Sequence, residues 1–354
     1  MKCHYNLVRI GCWNIHGAYQ NINSFRINKL ESPHFLDILR LHDIICLQET
    51  HCGPAERPTD HIVDFAPIPH CRKISPNNRY FGGMLLLVRK SVRKGVKVTH
   101  DKDPDIIGIT LSREFFGMEQ DLVVWFAYAP PASSPYSRGR EKVLSCLESL
   151  LITNDNYEHS IILGDLNGKT ACNADYLRDG SDNHSPITQV GTYVCDEVHP
   201  RNNMDENPVD GQGKMILDLC KTLNLRILNG RTSGDRWGNL TRFPLNRIER
   251  PSVLDYGICC SSLLEKILSF LILPQNELSD HCCISVSVDI KKPIGPSYSE
   301  HKEPSTKPPR LKFDADGIEK YKLNLTQDNT FQTILNNITG DTPQWKKSTT
   351  TWRL

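Results

Sequence analysis

Ser160-Ile161-Ile162-Leu163-Gly164-Asp165-Leu166-Asn167-Gly168 is a short apolar run that stops at a glycine and then places a carboxylate and a carboxamide two positions apart. The run reads as a buried strand. Side chains two apart on an extended segment point the same way, so Asp165 and Asn167 project together from the end of a core strand. An acid that can take a proton, beside an amide that can donate hydrogen bonds, suits hydrolysis at a phosphate or a similar oxyanion. A strand ending in an Asx turn has the same look. The other strand ends must therefore carry the argument.

They carry the same kind of residue. Residues 7–13 form a first apolar run, ending in Trp13-Asn14-Ile15-His16-Gly17. Asp43-Ile44-Ile45-Cys46-Leu47-Gln48-Glu49-Thr50 is a second, ending in a carboxylate. Strands over 84–88, 106–111 and 122–128 follow, the last stopped at Tyr128-Ala129-Pro130-Pro131, where proline forbids continuation. Residues 253–258 form a strand with an embedded acid, Asp255. Residues 270–273 form another, and Ser279-Asp280-His281 opens a last strand over 282–288. Apolar periodicity marks helices at 34–41, 138–152 and 215–223. The stretches 51–79 and 168–210 read as loop, and 225–228 as a short strand followed by a loop over 229–238. Strands outnumber helices, and helices fall between groups of strands, so two packed sheets flanked by helices are expected, not a doubly wound parallel sheet.

The chain has 354 residues, 38% of them hydrophobic and 23% charged, with a net charge of +1. No overall basic field announces nucleic acid, so a nucleic-acid enzyme must rely on a local patch. The basic turn over 89–97 is one candidate for contact with a phosphate backbone. No apolar run is long enough to span a bilayer, and there is no signal-peptide core, so an intracellular setting with free thiols is expected for the 13 cysteines. No Cys-x-x-Cys pair offers a structural zinc site. From about residue 291 Pro, Lys, Ser and Thr dominate. The expected division is therefore a folded domain over 1–290 and a linker with a weakly ordered tail over 291–354, including a weak helical stretch at 316–337.

Trp13-Asn14-Ile15, Gln48-Glu49-Thr50, Tyr128-Ala129-Pro130, Gly164-Asp165-Leu166-Asn167, Leu254-Asp255-Tyr256 and Ser279-Asp280-His281 resemble, in order and spacing, the motifs of the endonuclease/exonuclease/phosphatase superfamily. Asn229-Gly230-Arg231, Gly234-Asp235, Thr241 and Ser252-Val253-Leu254-Asp255-Tyr256 narrow the resemblance to the apurinic-type endonuclease domain of animal non-LTR (LINE-like) retrotransposons. It covers about residues 6–289. It implies a DNase I-like four-layer α/β sandwich of two mixed sheets flanked by helices, and Mg²⁺-dependent phosphodiester cleavage, with Mn²⁺ as a substitute.

Under that resemblance Glu49 is the first metal ligand, with Asn14 and Asp280 beside it. Asp165 orients and deprotonates the attacking water. Asn167 and Tyr128 hydrogen-bond phosphate oxygens, and His281 donates to a non-bridging oxygen. Asp280 and His281 are sequence neighbours and point to opposite faces of an extended chain, so Asp255 is the expected orienting acid for His281. Thr241 and Ser252 match retroelement-type positions near the phosphate or the histidine. His16 departs from the family pattern, which often has an acid there, and this weakens a second-metal reading. The expected function is a DNA endonuclease of retrotransposon origin, monomeric, nuclear, with DNA as its partner, no protein partner and no membrane. The rival readings are a phosphatase or an RNA deadenylase on the same scaffold, or a non-catalytic DNA-binding remnant.

Overall fold

The computed structural model describes residues 6–22, 25–72, 80–131, 134, 140–154, 157–177, 200–245 and 248–291. The expected linker and tail, including the helical stretch at 316–337, lie outside the described residues, as does 178–199 of the expected long loop.

Fourteen strands are described: β1 (Leu7–Asn14), β2 (Tyr19–Ile22), β3 (Phe25–Asn28), β4 (Ile44–Gln48), β5 (Phe65–His70), β6 (Met84–Arg89), β7 (Val96–His100), β8 (Ile106–Leu111), β9 (Leu122–Ala127), β10 (Ser160–Asp165), β11 (Leu225–Ile227), β12 (Asp255–Cys260), β13 (Ile267–Ile272) and β14 (Ile284–Asp289). Four α-helices accompany them: α1 (Pro33–Arg40), α2 (Arg113–Phe116), α3 (Arg140–Ile152) and α4 (Gly211–Thr222). One sheet has the order β13-β14-β1-β4-β6-β5, the other β11-β12-β10-β9-β8-β7, and β2-β3 form a separate ribbon.

Strict alternation along the central strands builds the layers. Val8, Ile10 and Cys12 of β1 and Ile44 and Cys46 of β4 point into one buried cluster with Ile161 and Leu163 of β10. That cluster draws on both sheets and is the core between them. The alternate residues Trp13, Ile45 and Leu47 face the other way, onto Phe35, Ile38 and Leu39 of α1. In the second sheet Ile162, Val123 and Trp125 meet Val143, Leu147 and Leu151 of α3 and Ile216 and Leu219 of α4. The result is the four-layer order helix, sheet, sheet, helix. Helix ends obey local chemistry: Pro33 opens α1, and the Asp210 carboxylate caps α4 by accepting the Gly213 N–H at 2.7 Å.

Both sheets repeat one pattern. Each has a central parallel pair, β1 with β4 and β9 with β10, flanked by antiparallel strands. The parallel strands all end at one pole, in or next to Asn14, Glu49, Tyr128 and Asp165. Their antiparallel neighbours begin there: Asp255 opens β12, opposite Asp165 in the register, and His281 precedes β14. The site therefore lies where four strand ends and two strand beginnings of two sheets converge.

Three stretches depart from the sequence reading. β5 lies inside 51–79, which reads as loop because Phe65-Ala66-Pro67-Ile68-Pro69-His70 contains two prolines. As an edge strand paired only with β6, it can do without their missing donors. The polar stretch after β1 forms the β2-β3 ribbon. The basic turn over 89–97 runs directly into β7. It stands at the opposite pole: Arg89 follows the β6 residues that pair with Ile44, at the far end of β4 from Glu49. Five residues of strand put it about 16 Å from the site end, and Arg89 is committed there to Asp43 and to the carbonyls of Arg40 and His42.

Candidate active site

Gly164 lets β10 end hard against its sheet neighbour β9. A Cβ at this position would lie 1.8 Å from the Ala127 carbonyl oxygen, so only glycine admits the close pairing of β10 with β9. Gln48, fully buried at the end of β4, spans the sheets. Its Nε2 donates to the Ala127 carbonyl at 2.9 Å, and its Oε1 accepts the Asp165 N–H at 3.0 Å. Within the second sheet the backbone extends past the strand ends, with Ala129 N–H donating to the Asp165 carbonyl and Leu166 N–H to that of Leu254.

On this platform the polar side chains form one network. Asn14 donates through Nδ2 to Glu49 Oε1 and to Asp165 Oδ2, both at 3.0 Å, and its Oδ1 accepts the His16 N–H. The Tyr128 hydroxyl donates to Glu49 Oε1 at 2.5 Å. Burial, with the Glu49 and Asp165 carboxylates nearby, pushes the Tyr128 phenol up, so it stays protonated. In this arrangement its proton serves Glu49, not a phosphate. Asn167 has a left-handed backbone (φ 48°). Its N–H donates to Asp165 Oδ1 and its Nδ2 to the Ala129 carbonyl, leaving the second amide proton.

His281 bonds Asp255, the acid on the neighbouring sheet, with Nδ1 to Oδ2 at 2.8 Å. Its Nε2 lies 3.9 Å from Asp165 Oδ2. Asp280 turns away, meeting Arg242 Nε at 3.1 Å and His16 Nδ1 at 3.8 Å. Two upward shifts result, from different causes. Burial raises the Asp165 carboxyl to about 7, reinforced by Asp255 and Glu49 against the opposing pull of His281. Burial would lower His281, but the Asp255 and Asp165 carboxylates outweigh it and hold the imidazole up at about 10. Near neutrality His281 is an imidazolium and Asp165 is poised between its two forms. Together with Asp255 they form a buried acid–histidine cluster.

Thr241 and Ser252 are buried behind this cluster. The Thr241 hydroxyl oxygen accepts the N–H groups of Leu254 and Asp255, at 2.9 and 3.0 Å, and Thr241 N–H donates to the Ser252 carbonyl. Thr241 thus fixes the start of β12. Asn229 braces the same strand, donating to the Asp255 carbonyl at 3.0 Å and accepting the Gly257 N–H.

Several contributors escape the sequence reading. Gln48 stands beside Glu49 in the quoted motif, yet its cross-sheet role has no one-dimensional signal. The Trp13 indole N–H donates to the His281 carbonyl at 2.8 Å, and the Ser279 hydroxyl donates to the Asn14 carbonyl at 2.7 Å. His51 Nδ1 accepts the Gly82 N–H, which leaves the proton on Nε2, 3.6 Å from Glu49 Oε2. His16 Nδ1 lies 4.0 Å from the same oxygen.

A buried carboxylate with a raised pKa, a histidine oriented by a second acid and a half-open glutamate, gathered at the strand ends of a two-sheet sandwich, define a phosphoester hydrolase of the DNase I-like class. The chain belongs to the endonuclease/exonuclease/phosphatase family, whose model matches residues 11–281. Members of this family are nucleases and phosphatases. Solved structures with the same fold include the 3'-5' exonuclease NExo from Neisseria meningitidis, with TM-score 0.51 and 15% identity over 80% of this chain and 100% of that one. The endonuclease domain of TRAS1, a telomere-specific non-LTR retrotransposon, matches with TM-score 0.50 and 12% identity over 80% and 100%. The AP endonuclease LMAP from Leishmania major matches with TM-score 0.52 and 14% identity over 80% and 88%. At these identities the likeness is one of fold. No curated protein sequence matches the chain significantly. No helix among the described residues is long and apolar enough to cross a membrane.

Proposed function

We propose that the protein is a divalent-metal-dependent DNA endonuclease of retrotransposon type that nicks a strand by attack of water on phosphorus. The observation that carries this reading is the pairing of Asp165 with the His281–Asp255 dyad on one side of the site and the open oxygen of Glu49 on the other. Asp165, poised near 7, accepts a proton from water. The Asp255 carboxylate keeps His281 protonated, so Nε2–H can donate to a non-bridging oxygen as charge builds on the phosphate. Asn167 offers its free amide proton to the same group.

The donor set fits a hard cation. Asn14 and Tyr128 occupy Glu49 Oε1, whereas Oε2 faces outward toward His16 and His51. Glu49 would hold Mg²⁺, with Asp280 and Asn14 beside it, and the nearby His16 imidazole suits Mn²⁺ as a substitute. The bound ion supplies neutralisation of the phosphate and of the leaving oxygen. The supports for DNA over another phosphoester are the retroelement-type motifs at Asn229-Gly230-Arg231 and Thr241 and the nucleases among the structural neighbours.

The test is nicking of supercoiled plasmid by the full chain, in Mg²⁺ and in EDTA, beside Asp165→Asn and His281→Ala. Metal-dependent nicking is expected, reduced by about 10²–10⁴-fold in each variant. A folded wild type that leaves plasmid intact overturns the reading. Hydrolysis of phosphoinositides in its place would make the protein a phosphatase, and binding of DNA without cleavage would make it a remnant.

A further inference from the structure

Lys29, the first residue after the β2-β3 ribbon, is a buried cation that the proposed chemistry does not use. Its Nζ donates to three backbone carbonyls: Ile15 at 2.6 Å, Leu278 at 2.8 Å and His16 at 3.3 Å. An ammonium has three N–H donors and no acceptor, so three carbonyls satisfy it fully. Asp280, the nearest acid acting on it, is paired elsewhere, with Arg242 and His16. A buried ammonium without an ion-pair partner is costly, and its charge-assisted bonds to carbonyls must offset that cost. The same residue's backbone N–H donates to the Ala18 carbonyl, fastening the segment a second time.

The three carbonyls belong to the two segments that carry the neighbouring strands β1 and β14 of one sheet into the site. Ile15 and His16 follow Asn14, which ties Glu49 to Asp165. Leu278 precedes Ser279-Asp280-His281. The backbone ladder of β1 with β14 ends at Cys12 and Ile284, and beyond it the two segments meet through the Ser279 hydroxyl on the Asn14 carbonyl and the Trp13 indole on the His281 carbonyl. We infer that Lys29 is a positioning residue for the cleavage site: its ammonium clamps the Asn14 segment to the Asp280–His281 segment and so sets the separation between the Glu49 side and the His281 side. A hydrophobic residue of the same length would fill the space but leave three buried carbonyls unpaired, and the segments would separate toward water. This inference rests on the endonuclease reading only for its kinetic arm.

The experiment compares full-length wild type, Lys29→Met and Leu151→Ala, the last a packing variant in α3 that loses stability far from the clamp. Three quantities are read: plasmid nicking against DNA and Mg²⁺ concentration, the thermal midpoint, and the assigned Trp13 indole N–H resonance, which reports the His281 carbonyl. Lys29→Met is expected to lower kcat at least tenfold, to leave KM for DNA within twofold, to raise the half-saturating Mg²⁺ at least threefold and to shift the Trp13 resonance. Leu151→Ala lowers the midpoint but moves neither kcat nor that resonance. Lys29→Arg, which keeps the charge and part of the donor set, falls between wild type and Lys29→Met, and it replaces the methionine variant if that fails to fold. Wild-type kcat and an unmoved Trp13 resonance in Lys29→Met overturn the inference. A wild type that cleaves no DNA overturns the functional reading instead, and the resonance comparison, which needs no turnover, still decides the clamp.

Discussion

At the residue scale, Asp165 and His281 both hold their protons more tightly in the folded chain, so both make the fold less stable as pH rises, one as a charged form that costs and the other as a charged form whose benefit is lost. A carboxyl raised from 3.8 to about 7 binds protons more tightly in the folded than in the unfolded chain. Asp165 therefore destabilises the fold progressively as pH rises from about 4 to 7, by roughly 1.4 kcal/mol per pKa unit. Asp165→Asn, measured in EDTA at pH 8, is expected to raise the denaturation midpoint although the same substitution lowers cleavage in Mg²⁺. A lowered midpoint would show that Asp165 serves the fold as well as the chemistry. For His281 the slope with pH has the same sign, but here the charged form is the favoured one. An imidazole raised from 6.5 to about 10 contributes stability that is complete below pH 6.5 and is lost as pH climbs through 10. Asp255→Asn keeps the shape of the contact but removes its charge, so its urea midpoint should stay flatter than that of wild type between pH 7 and 10. Parallel curves would mean that the dyad carries no net ionic coupling. The Asp255 partnership follows from strand alternation, because adjacent side chains cannot share a face. Nothing in the one-dimensional order shows that Thr241 would spend its hydroxyl on the Leu254 and Asp255 backbone.

At the scale of elements, the site is the product of two parallel strand pairs ending at one pole. Strand ends of separate sheets have no backbone ladder between them, and Gln48 supplies one with a side chain. Gln48→Leu preserves volume and leaves the Ala127 carbonyl and the Asp165 N–H unpaired. A loss of about 2–5 kcal/mol in unfolding free energy is expected from two buried orphans, with a fall in kcat because Asp165 shifts. A variant as stable and active as wild type would show that the two sheets hold the site without the Gln48 bridge. Most elements are legible because their apolar periods are strong: β1, β4, β9, β10, α3 and α4 fall within a few residues of the sequence reading. β5 is illegible because prolines argue against a strand, and only its place at a sheet edge makes them harmless. The β2-β3 ribbon is polar and lies outside both sheets, so no burial pattern announces it.

At the scale of the whole molecule, side chains of the described residues brace the site through hydrogen bonds of their own. Asn14, Gln48, Thr241, Asn229 and Lys29 all reach it from the buried interior. EDTA should therefore stop cleavage without unfolding the protein, and saturating Mg²⁺ should raise the thermal midpoint, because a bound cation stabilises the state that binds it. Loss of cooperative unfolding in EDTA would count against a preformed site. The sequence by itself determined the sandwich class and the set of polar residues at strand ends, because apolar periodicity records which faces are buried and a strand's end is marked by where that period stops. The tertiary structure alone decided which ends meet, which side chains brace the junction and that the basic turn over 89–97 stands at the far pole. Those outcomes depend on strand order and on register between residues far apart in the chain, and a local pattern of side chains carries no information about either.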